Sequence, residues 1–80
     1  MNLGKEEVFG AAIKRVLAWQ IEEARKGRSL TKSGMAAAMG TSQTQVERVL
    51  NPLNVAVSIE TLERAARSVG KTLRIELVDV

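Results

Sequence analysis

Leu30-Thr31-Lys32-Ser33-Gly34-Met35-Ala36-Ala37-Ala38-Met39-Gly40-Thr41-Ser42-Gln43-Thr44-Gln45-Val46-Glu47-Arg48-Val49 holds two short helices and almost nothing between them. Thr31 can cap a helix over 32–39, because its side-chain oxygen accepts from a free N–H of the first turn. Leu30, Met35, Ala36 and Met39 supply that helix's core contacts. Gly34 inside it costs about 1 kcal/mol relative to alanine. Gly40 can end it in a left-handed conformation that other residues enter only with strain. Ser42 opens the next helix. The string Ser42-Gln43-Thr44-Gln45 fits a capping box, with Gln45 reaching back to the cap residue. Val46, Val49, Leu50 and Leu53 recur at i, i+3, i+4 and i+7 and are expected to face the core. Pro52 limits this helix, so Leu53 falls just past its end. Only Gly40 and Thr41 separate the two helices, which forces a tight turn. Ala36, Ala37 and Ala38 are small enough to let them approach closely.

Working outward, a longer helix is expected upstream over Lys5 to Lys26. Phe9, Ile13, Val16, Leu17, Ile21 and Ala24 recur there at helical spacing. Arg25 and Lys26 fall in its last turn, where positive charge suits the helix dipole, and Gly27 is the expected stop. Trp19 lies off this stripe and either covers a second contact surface or packs against the body of the domain. Downstream, 51–57 reads as a loop. Ser58 then caps a fourth helix to about Val69, with Glu60 in its first turn and Gly70 after its end. Val57 and Leu62 have the spacing of a hydrophobic staple, and Leu62, Ala65, Ala66 and Val69 form the buried stripe. The tail changes period: Leu73, Ile75 and Leu77 alternate with Thr72, Arg74 and Glu76, which predicts a strand over 72–78. A lone strand leaves its backbone groups unpaired. Pairing with the same strand of a second copy solves this. A two-fold centred on Ile75 sets Leu73 opposite Leu77 and Arg74 opposite Glu76, a favourable pairing of charges.

The bulk composition excludes several classes. Eighty residues make one domain, 1–80. There is no cysteine and no histidine, so disulfides and thiolate or imidazole metal sites are ruled out, and no metal or cofactor is expected. Catalysis would rest on serine, lysine or carboxylates, yet no serine has an evident base partner and no glycine-rich phosphate loop appears. Glu6-Glu7 and Glu22-Glu23 are adjacent in sequence, diverge around a helix and read as solvated. The chain is therefore not read as an enzyme. No run approaches the ~18 apolar residues of a membrane span. Met1 to Lys5 does not open a signal peptide, and the lack of cysteine fits a reducing cytoplasm. The net charge of +3 permits a polyanionic partner. Phe9 and Trp19 are the only aromatics, too few for the stacking platforms of single-strand or sheet-based RNA binders. On the helix that Ser42 opens, the apolar stripe leaves Thr44, Arg48 and Asn51 facing outward, with Gln43 at the exposed start and Gln45 and Glu47 at the flanks. Glutamine can pair with adenine, arginine with guanine, and a threonine methyl can touch thymine.

The Leu30–Val49 stretch resembles the helix-turn-helix of the phage-repressor and Cro-like (XRE) regulators, whose pattern runs Leu-Thr-Gln, Glu-Leu-Ala, Leu-Gly-x-Ser-Gln and a Val-x-Arg-like step. Ser58-Ile59-Glu60-Thr61-Leu62 with Ala65, Ala66 and Gly70 resembles the family's next helix. The likeness covers about Leu17 to Leu73. It implies a mainly α, four- to five-helix lambda-repressor-like DNA-binding domain: a helix-turn-helix at 31–50, residues 1–12 extending the first helix, and one C-terminal β-strand paired across a homodimer. It implies a transcriptional repressor reading an inverted repeat in double-stranded DNA. By the same resemblance, Gln43, Thr44 and Arg48 contact bases, and Thr31, Lys32, Ser42 and Asn51 contact the phosphate backbone. The chain departs from the pattern at Lys32, where the family has glutamine, and at Gly34, where it has glutamate. Leu50-Asn51-Pro52 stands in place of Glu-Asn-Gly, which bears on the turn after the helix. The tail Gly70-Lys71-Thr72-Leu73-Arg74-Ile75-Glu76-Leu77-Val78 resembles the end of antitoxins that pair with RelE- or HigB-like toxins. There a final strand (Leu73, Arg74, Ile75, Glu76 and Leu77 here) builds the dimer. That resemblance adds a cognate ribonuclease toxin as a possible partner, for which Val8, Phe9, Ala12 and Trp19 offer a surface.

Overall fold

The computed structural model describes the backbone of residues 3–80 and the side chains of residues 10–80. It is mainly α, with four helices: α1 Leu3–Gly27, α2 Lys32–Met39, α3 Gln43–Leu50 and α4 Ile59–Ser68. The expected sites of the Val8 and Phe9 side chains lie outside the described residues. Three of the four helices begin as the residues dictate. Thr31, Ser42 and Ser58 each sit in extended backbone and accept from the N–H three residues on, at 2.9, 3.2 and 3.1 Å. Such caps satisfy N–H groups that have no partner inside the helix. Of the capping box, the Ser42 half forms. No bond from the Gln45 side chain back to Ser42 is found among the described residues.

The helices enclose a single core of Ile21, Met35, Ala36, Met39, Val46, Val49, Leu62, Ala65 and Val69. Met35, Val46, Val49 and Val69 are completely enclosed. Each contributes about 1.5–3 kcal/mol relative to its exposed state. Leu17, Ala24, Leu30, Leu50, Val57 and Leu73 pack around its edge. The pairing of half-buried Val57 with buried Leu62 fits the expected staple. The expected stripe of α1 holds at Leu17, Ile21 and Ala24 and is corrected at Ile13 and Val16. Ile13 and Val16 are 58% and 55% exposed, and Trp19 is 65% exposed. The inward face runs instead through Lys14, Leu17, Ala18 and Ile21. α1 has two apolar faces, and the one centred on Ala18 and Ile21 meets the other helices. Of the three alanines in α2, only Ala36 is buried. Gly34 has a packing reason that periodicity does not reveal. A Cβ there would lie 3.0 Å from a Leu30 methyl and 3.2 Å from the capping oxygen of Thr31.

Three helices stop in the same way. At α2, the Gly40 N–H donates to Ala37 and the Thr41 N–H to Ala36. At the end of α4, the Gly70 N–H donates to Arg67 and the Lys71 N–H to Ala66. At α1, the Ser29 N–H donates to Lys26 and the Leu30 N–H to Arg25. This paired ladder requires a left-handed residue after the helix. Gly40 (φ 69°) and Gly70 (φ 77°) adopt that conformation without a Cβ clash. In α1 the residue is Ser29 (φ 54°), not Gly27, which stays within the helix. Arg25 reinforces this stop. Its guanidinium grips the Glu22 carboxylate with two bonds and donates to the Leu30 carbonyl at 2.9 Å. Glu22 is therefore not the freely solvated acid expected. The Arg25 hydrogen bond holds its carboxyl below the ordinary value of 4.5, against the upward push of its own burial.

Leu53 is 78% exposed and not part of the core. The Asn51 side chain accepts from the Leu53 N–H at 2.9 Å, and the Asn54 N–H returns to the Asn51 carbonyl. This Asx turn around Pro52 carries Leu53 away from the α3 stripe. Residues 71–80 have no regular secondary structure, and no strand occurs among the described residues. Leu73 packs on the core, while Ile75, Leu77, Val78 and Val80 are exposed. Arg74 and Glu76, expected to face each other across a dimer, meet within the chain at 2.9 Å.

Holding a serine in the left-handed region costs about 1 kcal/mol that glycine avoids. Ser29→Gly should accordingly raise the thermal midpoint by about 4–8 °C in a chain of this size. Differential scanning calorimetry checks it, and an unchanged or lower midpoint contradicts the assignment of Ser29 as the stop of α1.

Candidate nucleic-acid interface

The orientation of α3 follows from two residues. Val46 and Val49, three apart, are both fully buried. That fixes the helix about its own axis, because residues three apart share one face. The opposite face then carries Thr44 and Arg48, and both are exposed, as is Gln43 at the open start of the helix. Gln45, half-buried, lies at the flank, and Glu47 is exposed. The expected phosphate contacts are also at the surface. Thr31, Ser42 and Asn51 are exposed and Lys32 is half-buried. Thr31 and Ser42 use an oxygen lone pair to cap their helices, which leaves each hydroxyl hydrogen free to donate outward. The Asn51 oxygen is committed to the Leu53 N–H, leaving its amide hydrogens as donors. Neither Arg48 nor Lys32 takes part in an ion pair among the described residues. Their charges are available to an anion.

What holds the far end of α3 is a residue that the sequence reading passes over. In a continuing helix the Arg48 carbonyl would accept from the N–H of residue 52. Residue 52 is proline and has none. The Lys14 ammonium of α1 donates to that carbonyl at 3.2 Å and to the Asn51 carbonyl at 2.9 Å. Lys14 is only 3% exposed. Burial pushes its pKa below the ordinary 10.5. The two carbonyls, at the negative end of a helix dipole, favour the cation. α3 is thus pinned at its start by Ser42, along its length by two valines, and at its end by Lys14. A lysine inside an apolar stripe looks like a solvated interruption, and its acceptors lie 34 and 37 residues away, so no local signal identifies it.

Such an arrangement presents a rigid row of amide, hydroxyl and guanidinium groups, which together can donate to and accept from a planar array of polar edges. Among the described residues no group of acidic side chains could hold a metal ion.

Lys14→Met keeps the apolar stem and removes the ammonium, leaving the Arg48 carbonyl without a donor and the Asn51 carbonyl with the Asn54 N–H alone. An unsatisfied buried acceptor costs about 1–3 kcal/mol, so the thermal midpoint should fall by several degrees. Amide exchange at Val49–Leu53 should accelerate before exchange elsewhere. Uniform exchange across all helices would show that Lys14 does not secure the end of α3.

Comparison with protein-family models, with curated proteins and with solved structures finds no match to this chain.

Proposed function

We propose that this chain is a sequence-specific regulator of double-stranded DNA, a repressor of lambda-repressor-like fold acting in the cytoplasm. The observation that carries the reading is the exposed Thr44–Arg48 face of α3, set outward by buried Val46 and Val49, with exposed Gln43 at its open start. In this reading α3 enters the major groove. Gln43 pairs with adenine, Thr44 touches a thymine methyl, and Arg48 donates two bonds to guanine. Thr31, Lys32, Ser42 and Asn51 hold the phosphates and set the register. The protein works as a homodimer on an inverted repeat, its half-sites about one helical turn apart. The 73–77 tails pair as antiparallel strands about Ile75. No catalysis and no cofactor form part of the proposal.

A second reading is favoured by one observation. Ile13, Val16 and Trp19 expose an apolar face of α1 that nothing among the described residues covers. As an antitoxin, the protein would use that face to neutralise a RelE- or HigB-like ribonuclease toxin while repressing its own operon. Val16→Glu would then abolish neutralisation of a co-expressed toxin and leave DNA binding intact. Loss of neither activity, or of both together, counts against this reading.

Selection of bound duplexes from a random pool, followed by band shifts at physiological salt, tests the principal proposal. An inverted repeat should emerge, and Arg48→Ala should weaken its binding by about 1–3 kcal/mol and relax one base position. Equal affinity for all duplexes overturns it.

A further inference from the structure

A groove of about 500 Å³ opens beside α1 and α4, lined by Leu17, Trp19, Ile21, Leu62, Ala66 and Leu73. Lys71 also lines it. The chain's own tail does not fill it. Arg74 and Glu76, two residues apart, meet at 2.9 Å and so share one side of the tail, the spacing that extended backbone gives. Leu73, Ile75 and Leu77 therefore share the other side. Thr72–Val80 contains no glycine or proline that could reverse its course. An extended chain advances about 3.3 Å per residue, so Leu77 is carried about 13 Å beyond Leu73. Leu77 is completely exposed, and Ile75 and Val78 are largely so.

Resting on the paired-tail dimer proposed above, we infer that the groove of each copy is filled by Leu77 of the second copy, whose Asp79 meets Lys71 at the same site. The register decides this. In an antiparallel pair, directly opposite residues point to the same face. A two-fold through Ile75 sets Leu73 opposite Leu77, and Leu73 is already a wall of the groove. It also sets Lys71 opposite Asp79 and Arg74 opposite Glu76, so opposite charges meet at each charged position. A two-fold through residue 74 would stack Arg74 on Arg74, and one through residue 76 would stack Glu76 on Glu76. A shift of one residue would set Leu73 opposite Glu76 and turn the apolar side of one strand outward. Only the Ile75 register satisfies both charge and burial. It delivers an apolar side chain to an apolar groove and a carboxylate to the lysine beside it.

Trp19 lines the groove and is the only tryptophan, so it reports on the groove's occupant. The full chain is followed through a dilution series by sedimentation equilibrium and by Trp19 emission. Emission should move to longer wavelength with the same midpoint as the change in mass. Leu77 is free of contacts within its own copy, so Leu77→Ala should leave the fold intact. It should weaken the dimer at least about tenfold, as expected for loss of a buried leucine, and expose Trp19. K71E and D79K should each weaken the dimer, and the chain carrying both should recover to within about threefold of the parent, since a directly contacting pair is not additive. A dimer whose Trp19 emission and affinity ignore Leu77→Ala, or whose charge changes simply add, overturns the inference while the dimer stands. A chain that sediments as a monomer at every concentration overturns the dimer itself. A dimer with Trp19 shielded that binds no selected duplex retains the inference and removes the regulatory reading.

Discussion

The setting of α3 about its axis depends on the burial of Val46 and Val49 against the Met35 region of the core. A helix of eight residues has little stability of its own, since isolated helices shorter than about 12 residues are marginal in water. Its conformation comes from tertiary contacts. Two valines with no exposed surface allow one rotational setting, because turning the helix would expose both and bury Gln43 or Arg48. Stiff β-branched side chains strengthen the constraint, since each has few rotamers with which to accommodate a shift. The outward row is a consequence of the inward one.

Lys14 gives this arrangement a second anchor of a different kind. Apolar burial resists rotation but not fraying at the end. Pro52 stops the helix and removes the N–H that would have closed its last turn. A buried donor from α1 makes good that loss and couples the longest helix to the end of α3. The Arg25–Glu22 pair acts similarly at the other end of α1, holding Leu30 and with it the approach to α2. Both anchors are long cations with buried stems that donate to main-chain carbonyls, in a core that lacks large aromatic side chains among the described residues.

Features governed by neighbours in sequence were legible: the caps Thr31, Ser42 and Ser58, the stops Gly40 and Gly70, the short turn between α2 and α3, and the outward face of α3. Each depends on hydrogen bonds or spacings within about five residues. What failed to show required distant partners. Ile13 and Val16 match helical spacing as well as Leu17 and Ile21 do, and only the position of α3 and α4 decides between the two faces. Lys14 counts as polar in any periodicity although its stem is buried. The stop falls at Ser29 and not at Gly27 as expected, because the loop must deliver Leu30 to the core at the next position. Leu53 was expected to face the core just past the end of α3, but the turn closed by the Asn51 side chain carries it to the surface. The tail reads as a strand by alternation, yet a strand requires a partner that one copy of the chain does not contain.

The small size of the recognition row bears on why a second copy belongs to the proposed function. Three outward side chains on two turns of helix can reach only a few base pairs, and a good bidentate contact discriminates by about 1–3 kcal/mol. Selecting one site among the many of a genome calls for about 4–10 kcal/mol over non-specific binding. The two bidentate contacts of a single copy, at about 2–6 kcal/mol together, reach only the lower part of that range, and phosphate contacts add no discrimination. Doubling the row across a two-fold axis doubles the bases read and fixes their spacing, and the second half-site then binds as an intramolecular event. In the proposed dimer, this places the demand for specificity on the tail. A pairing that tolerated several registers would set the two α3 helices at several separations and blur the site. The pairing of charges and burial that favours the Ile75 register in 71–79 is therefore as much a part of the proposed recognition as Gln43 or Arg48, although no residue of that segment needs to touch DNA.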